Sequence, residues 1–360
     1  MRRFGRTIVT AALAVAVVAG TAGWASVDSQ AAVTGPPPGT AAWRADTAAG
    51  RALPDPATAG PHEVARFFAG LDEGARRELL RAHPLVVGNL EGAPLPLRYE
   101  ANRLAVLATG EARYASLASP GRRILAFDPR GRGQVAEVFG DPERAAHVSV
   151  IVPGSDNDAQ SHDAPRTPGT GPAGMARALW SATGGAAGDT AVIAWTGYTT
   201  PVGVGLDAAG GRLAEAGAVR LARFTAGLDA VGAPDPVLLC HSYGSVVCGL
   251  AARHTDAADL VVLGSPGMRA ETAAALGTKA RVWAARGPSD WIADVPHVRV
   301  AGLGHGADPA SASFGARRVP AADVVGHTGY FAAGSRSLAA IAAIAKGEAP
   351  RDGAPTGDLR

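Results

Sequence analysis

The chain has 360 residues, 47% of them hydrophobic and 18% charged, and a formal net charge of +2. This is enough apolar material for one large core or two small ones, and it excludes wholesale disorder. With no basic patch and no acidic block, the charge pattern argues against a nucleic-acid partner and against a cation store.

The chain begins MRRFGRTIVTAALAVAVVAGTAGWA, with Arg2, Arg3 and Arg6 ahead of an apolar run from Ile8 to Ala19 and then small residues. This layout predicts a signal peptide over residues 1–31, cut near Ala25 or Ala31, and a secreted or cell-surface location. The apolar run is short for a span, so no stable membrane span is expected after cleavage; an uncleaved anchor is the alternative. The twin arginines leave the export route open. Removing the leader takes away Arg2, Arg3, Arg6 and Asp28 and leaves 31 basic against 31 acidic residues. Residues 32–60, rich in Ala, Gly, Pro and Thr, read as a flexible linker. Residues 61–115 read as an N-terminal helical segment. Val64, Phe67, Phe68, Leu71, Leu79 and Leu80 recur there at helical spacing, with a break near Gly70 to Asp72 and a stop at Pro84.

Residues 120–346 alternate apolar strands with helices, the signature of an α/β sheet with crossover helices, and 347–360 read as a frayed tail. ILAFDP and QVAEVFG flank Arg130-Gly131-Arg132-Gly133 as a hairpin. HVSVIVPG, TAVIAWTGY, PVLLC, DLVVLGSPG and ARVWAARG follow as buried strands. Helices are expected over Met175–Ala182, Leu213–Leu228 and Gly244–His254, and again in the C-terminal run SRSLAAIAAIAKG.

The segment PVLLCHSYGSV has the form of a strand, a sharp turn at Ser242 and the start of a helix. Such a turn pushes a serine hydroxyl out of the sheet, and the positions two before and two after it must be small because the backbones crowd. Here those positions are Cys240 and Gly244. A serine hydroxyl is a weak nucleophile without a base, and the base needs an acid to fix its tautomer. In a sheet of this kind the chain order is Ser, acid, His. Only His254, His297, His305 and His327 follow Ser242. His254 lies in the helix after the turn, and His297 heads a short apolar run. His327, in a glycine-flanked turn after the last strand candidate, is the favoured base, with His305 as the alternative. Asp290, in the loop after ARVWAARG, is the favoured acid; Asp294 and Asp308 are the alternatives. The backbone N–H groups of Tyr243 and Ser155 are the candidate oxyanion donors, the latter from the loop VPGSDND. Asp156, Asn157, Asp158, His162 and Asp163 supply the residue types of a metal loop without its glycine and terminal glutamate, so no metal and no cofactor is expected. Cys240 and Cys248 either form a disulfide or pack as two small buried thiols.

These segments resemble the α/β-hydrolase superfamily, and more closely an uncharacterised family of secreted actinobacterial α/β hydrolases. VVGNLEGAPLPLRYEANR, VIVPGS, AWTGY, CHSYGSVVCGLAA, VLGSPG, HGADPASASFGARR and GHTGYF carry the likeness, over roughly residues 60 to 346. Cys240 departs from the commoner glycine. The resemblance implies an α/β-hydrolase fold, a mostly parallel central sheet flanked by helices with the N-terminal helical segment appended. It also implies Ser242 as nucleophile, Asp290 as acid and His327 as base. The expectation is a serine hydrolase cleaving carboxylic esters, lipid or small acyl, through an acyl-enzyme. Tyr198, Tyr243, Trp291, Tyr330 and Phe331 are expected near the site, where they would suit an apolar acyl group. An acyltransferase or amidase on the same residues, or a catalytically silent binding protein on the same fold, are the alternatives.

Overall fold

A computed structural model of the protein describes residues 30–47, 50–163 and 170–348. The leader expected over 1–31 lies outside them except for Gln30 and Ala31, as does the expected tail except for Gly347 and Glu348. No helix among the described residues is long and apolar enough to cross a membrane.

The described part of 32–60, expected as a flexible linker, is packed. It contains helix α1 (Thr40–Ala45), whose Trp43 is fully buried and donates its indole N–H to the Pro54 carbonyl at 2.7 Å. One aromatic anchor thus overrides a low-complexity composition. Helices α2 (Pro61–Ala69) and α3 (Glu73–Ala82) break at Gly70 to Asp72 as the spacing predicts, with the Asp72 carboxylate capping Ala75 N–H at 2.8 Å. Pro84, expected only as a stop, opens a further short helix α4 (Pro84–Gly88), because a first-turn N–H has no helical partner to lose. Helix α5 (Leu95–Thr109) holds this layer to the main domain through Asn102, which donates to the Gly88 and Ile124 carbonyls at 3.0 Å each.

The expected strands form in chain order: β1 (Ile124–Asp128), β2 (Gln134–Phe139), β3 (His147–Val152), β4 (Thr190–Thr196), β5 (Val237–His241) and β6 (Asp259–Leu263). The stretch DLVVLGSPG does not continue as one strand. It ends at Leu263, turns at Gly264, and restarts as β7 (Gly267–Ala270). Next come β8 (Arg281–Ala285), β9 (His305–Gly306) and β10 (Arg317–Arg318). The main sheet has the order β1-β2-β4-β3-β5-β6-β8-β10, while β7 and β9 pair separately. From β4 to β10 all neighbours are parallel, with β1 and β2 antiparallel at one edge. The result is a mixed, mostly parallel α/β-hydrolase sheet.

Alternate side chains enter two cores, as a pleat of period two requires. Val148, Val150, Leu238, Leu260 and Val262 face one; Ile151, Val237, Leu239, Val261 and Leu263 face the other. The second core is covered by α6 (Pro172–Ala182) and α10 (Arg336–Ala345), the first by α8 (Arg212–Ala230) and α9 (Gly244–Ala251); the short α7 (Leu206–Ala209) precedes α8. Helix α8 carries Gly217 and Gly227 in its interior, at about 1 kcal/mol each. Leu213, Leu221, Phe224 and Leu228, buried on its inner face, contribute roughly 1.5–3 kcal/mol each, so packing decides the matter.

Candidate active site

Strand β5 ends at His241, and α9 begins at Gly244, leaving Ser242 at φ +54° between them. A non-glycine residue in the left-handed region is costly and persists only where its surroundings hold it. Here Ser242 N–H donates to the Leu263 carbonyl at 2.9 Å, and its own carbonyl accepts from the Ser245 N–H and hydroxyl at 2.9 and 2.6 Å. Gly244 is forced by crowding, since a Cβ there would stand 2.2 Å from the Val152 carbonyl oxygen. Cys240 and Cys248 are both fully buried and bonded to each other, linking β5 to α9 across this turn.

The turn between β10 and α10 swings His327 over the serine. Its Nε2 accepts from the Ser242 hydroxyl at 2.8 Å, and its Nδ1–H donates to Asp290 Oδ1 at 2.8 Å. Asp290 starts the turn after β8, where its Oδ1 also accepts from Ile292 N–H at 3.0 Å and its Oδ2 from the Tyr330 hydroxyl at 2.5 Å. Burial pushes the Asp290 carboxyl up, but the bonds from His327, Tyr330 and Ile292 outweigh it and hold the group below its ordinary value. The structure therefore brings together Ser242, His327 and Asp290, three residues 37 to 85 positions apart.

Gly154, just after the end of β3, lies against the same serine. A Cβ there would fall 2.9 Å from Ser242 Oγ and 3.0 Å from Tyr243 N. Only glycine leaves that space open beside both the hydroxyl and the N–H. Ser155 follows directly, and the Asn157 side chain ties the loop by donating to the Gly154 and Ser155 carbonyls at 3.1 and 2.8 Å. The Tyr243 side chain points elsewhere: its hydroxyl accepts from Ala214 N–H and donates to the Gly210 carbonyl, and burial lifts it to about 12.

His305 and Asp308 are engaged elsewhere. His305 sits in β9 with Nε2 on the Ala208 carbonyl at 2.7 Å, and burial lowers it to about 4. Asp308 pairs with Arg286 and caps Ala310 N–H at 2.8 Å, while Asp294 is exposed. In the loop from Asp156 to Asp163, which carries the residue types of a metal site, Asp158 pairs with Arg132, Asp163 with Arg122, and His162 with Glu137. No cluster among the described residues could hold a metal ion.

Sequence reasoning expected Tyr330 near the site as an apolar aromatic and missed its role there, along with two further supports. Tyr330, fully buried, accepts from Gly287 N–H at 3.0 Å while donating to Asp290, so its hydroxyl is spent on that carboxylate. His241, lowered to about 3 by burial and by the neighbouring His327, donates to the His327 carbonyl at 2.7 Å. Gly264, at φ +56°, lets the carboxylate in, since a Cβ there would be 2.8 Å from Asp290 Oδ2. The available signal was proximity in sequence, His241 standing directly before Ser242 and Tyr330 three residues after His327. Of the five aromatics expected around the site, Tyr198, Tyr243, Tyr330 and Phe331 are buried in the cores; Trp291 remains 45% exposed with its ring 4.6 Å from that of His327.

Residues 128–300 match a family model described as Alpha/beta hydrolase. Uncharacterized proteins from two strains of Mycobacterium tuberculosis are each 29% identical over 383 residues, an alignment covering 82% of this chain and 57% of theirs. The chain thus spans little more than half the length of these relatives. A lidless α/β serine hydrolase from Xanthomonas campestris is 13% identical, with a TM-score of 0.36 over 64% of this chain and 94% of that one. The mostly parallel sheet and the family match over residues 128–300 together make this chain an α/β-hydrolase-fold protein.

Proposed function

We propose that this protein is an exported serine hydrolase that cleaves carboxylic esters through an acyl-enzyme on Ser242. The observation that carries the reading is the unbroken hydrogen-bonded line from the Ser242 hydroxyl through His327 to Asp290. Ser242 Oγ attacks the ester carbonyl carbon as its proton passes to His327 Nε2, and Asp290 stabilises the imidazolium. The tetrahedral oxyanion is received by the N–H groups of Tyr243 and Ser155 in the space that Gly154 leaves open. Collapse breaks the ester C–O bond, and His327 returns the proton to the departing alcohol. Water then attacks the acyl-enzyme, giving a proton to His327 and hydroxide to the carbonyl; collapse releases the acid and restores Ser242.

Export is supported by the N-terminal leader pattern and by the Cys240–Cys248 bond, which suits an oxidising compartment. A fluorophosphonate probe should label the wild-type protein and leave Ser242→Ala unlabelled, with turnover of a p-nitrophenyl acyl ester down by about 10⁴-fold or more. Equal labelling of the variant, or an unlabelled wild type, refutes the reading.

A further inference from the structure

Among the described residues ten large apolar side chains are exposed, and their distribution is uneven. Leu107 and Val219 lie on helices α5 and α8. The rest lie on three connections. Val202, Val204 and Leu206 follow β4; Val298, Val300 and Leu303 follow β8, as does Trp291; Val325, 80% exposed, follows β10 and stands two residues before His327. Strands β4, β8 and β10 run parallel to β5 through the ladder, so all three connections leave the edge of the sheet at which Ser242 stands.

These connections touch one another and the reactive residues. Gly304 N–H donates to the Ala209 carbonyl at 2.9 Å, joining the Val298–Leu303 stretch to α7. Pro201 accepts from Asp156 N–H at 2.8 Å, joining the Val202 loop to the Gly154 loop, while Trp291 lies against His327. Single exposed apolar residues are ordinary, but concentration on one edge is not. Charge is sparse beside these side chains: residues 199–206 hold no charged side chain and residues 295–304 hold only Arg299, exposed between Val298 and Val300, while Asp207, Asp294 and Asp323 border the three connections.

We propose that this rim seats the reactive edge on the surface of an anionic lipid aggregate, its valines and leucines entering the acyl boundary and Arg299 meeting lipid phosphates. The proposal rests on the reading of Ser242 as nucleophile and deepens it: the substrate is an ester presented by such a surface. A protein seated on the same rim would cover Ser242, whereas a lipid surface brings the ester to it. A cation flanked by apolar residues suits a boundary where phosphates border acyl chains.

The test is co-sedimentation of the full chain with vesicles of phosphatidylcholine and phosphatidylglycerol in equal amounts. Val202→Ser, Leu206→Ser and Val300→Ser, at exposed positions, should each weaken binding by about tenfold. Arg299→Gln should weaken it about fivefold on these vesicles and leave binding to phosphatidylcholine alone unchanged. Val219→Ser, on α8, is the control and should bind as wild type. Fluorophosphonate labelling of Ser242 should be the same in all of them, which separates this proposal from the hydrolase reading. If the rim variants bind vesicles as wild type does, including by way of the N-terminal apolar run, the proposal is overturned. It is overturned equally if they change only self-association in sedimentation velocity.

Discussion

The two edges of the sheet each carry a buried carboxylate surrounded by donors, yet they are built for different ends. At the N-terminal edge Asp259 accepts from Arg281 Nε and Nη2 at 2.7 Å each and from Trp283 Nε1 at 2.8 Å, beside a cavity of about 430 Å³ lined also by His147, Asp235 and Ile344. At the C-terminal edge Asp290 accepts from Tyr330, Ile292 and His327. The guanidinium cannot give up its proton, so the Asp259 group only holds β6 to β8. The imidazole can, and it passes the effect on to a hydroxyl held in a strained turn. A cavity and a buried charge are therefore poor guides here; a titratable link to a strained serine is the better one.

Paired substitution separates the two edges most sharply. Asp290→Asn should cut kcat by about 10⁴-fold, because the wrong tautomer of His327 then faces Ser242. Asp259→Asn should leave kcat within about twofold but cost about 3 kcal/mol in urea unfolding, since it removes one partner of a buried pair. If Asp259→Asn instead abolishes turnover in protein that remains folded, the two edges are not separate. Asp308→Asn serves as a further reference, because a loss confined to that variant would make it the acid.

A second break concerns space rather than charge. Gly154→Ala puts a methyl 2.5 Å from Ser242 Cβ and 3.0 Å from Tyr243 N. Turnover should fall by about 10²- to 10³-fold, the scale of losing one oxyanion donor, while circular dichroism stays that of wild type. Retained turnover would show that the oxyanion is received elsewhere.

Acid should expose the two buried imidazoles of the reactive edge. His241 and His305 titrate at about 3 and about 4 in the folded protein, burial being the main cause, against 6.5 when exposed. As pH falls below 6.5 the unfolded chain takes up these protons first, so stability is lost between pH 7 and pH 4. From pH 7 to pH 5 this amounts to about 2 kcal/mol for each histidine. Below about pH 4.5 the lowered carboxylates Glu137 and Asp290 add to the loss in the same direction. A urea midpoint that does not move between pH 7 and pH 5 would contradict both imidazole assignments.

Much of this arrangement was legible in the sequence because buried parallel strands are apolar runs and the topology imposes an order on the reactive residues. Chain order, loop position and the family resemblance favoured Ser242, Asp290 and His327 before any distance was known, with His305, Asp294 and Asp308 left as alternatives. What was hidden depends on contacts between distant segments. Nothing local marks Trp43 as the anchor of a helix in an alanine- and proline-rich stretch. The pairing of β7 with β9, which takes His305 to the Ala208 carbonyl, joins residues 38 positions apart. The same holds for the aromatics, whose hydrophobicity fits a pocket wall and a core equally well; burial alone assigns Tyr198 and Tyr243 to the core.

Tyr330 gives the smallest and most discriminating prediction. Its hydroxyl is the one side-chain donor, besides His327, that Asp290 holds among the described residues, and it occupies the oxygen that His327 does not use. In Tyr330→Phe the ring still fills its place beside His241, but Oδ2 loses its donor and Gly287 N–H loses its acceptor. The carboxylate can then turn, and His327 Nδ1–H is held less firmly, at a cost of about 1 kcal/mol for the bond. Because the Tyr330 hydroxyl is fully engaged by Asp290 and Gly287, kcat should fall by about five- to tenfold with KM unchanged. The Asp290 carboxyl, relieved of one bond that lowers it, should protonate at a higher pH, and the loss of stability on the acid side should begin earlier than in wild type. A variant that loses stability at pH 7 but keeps its kcat would make Tyr330 a packing residue only.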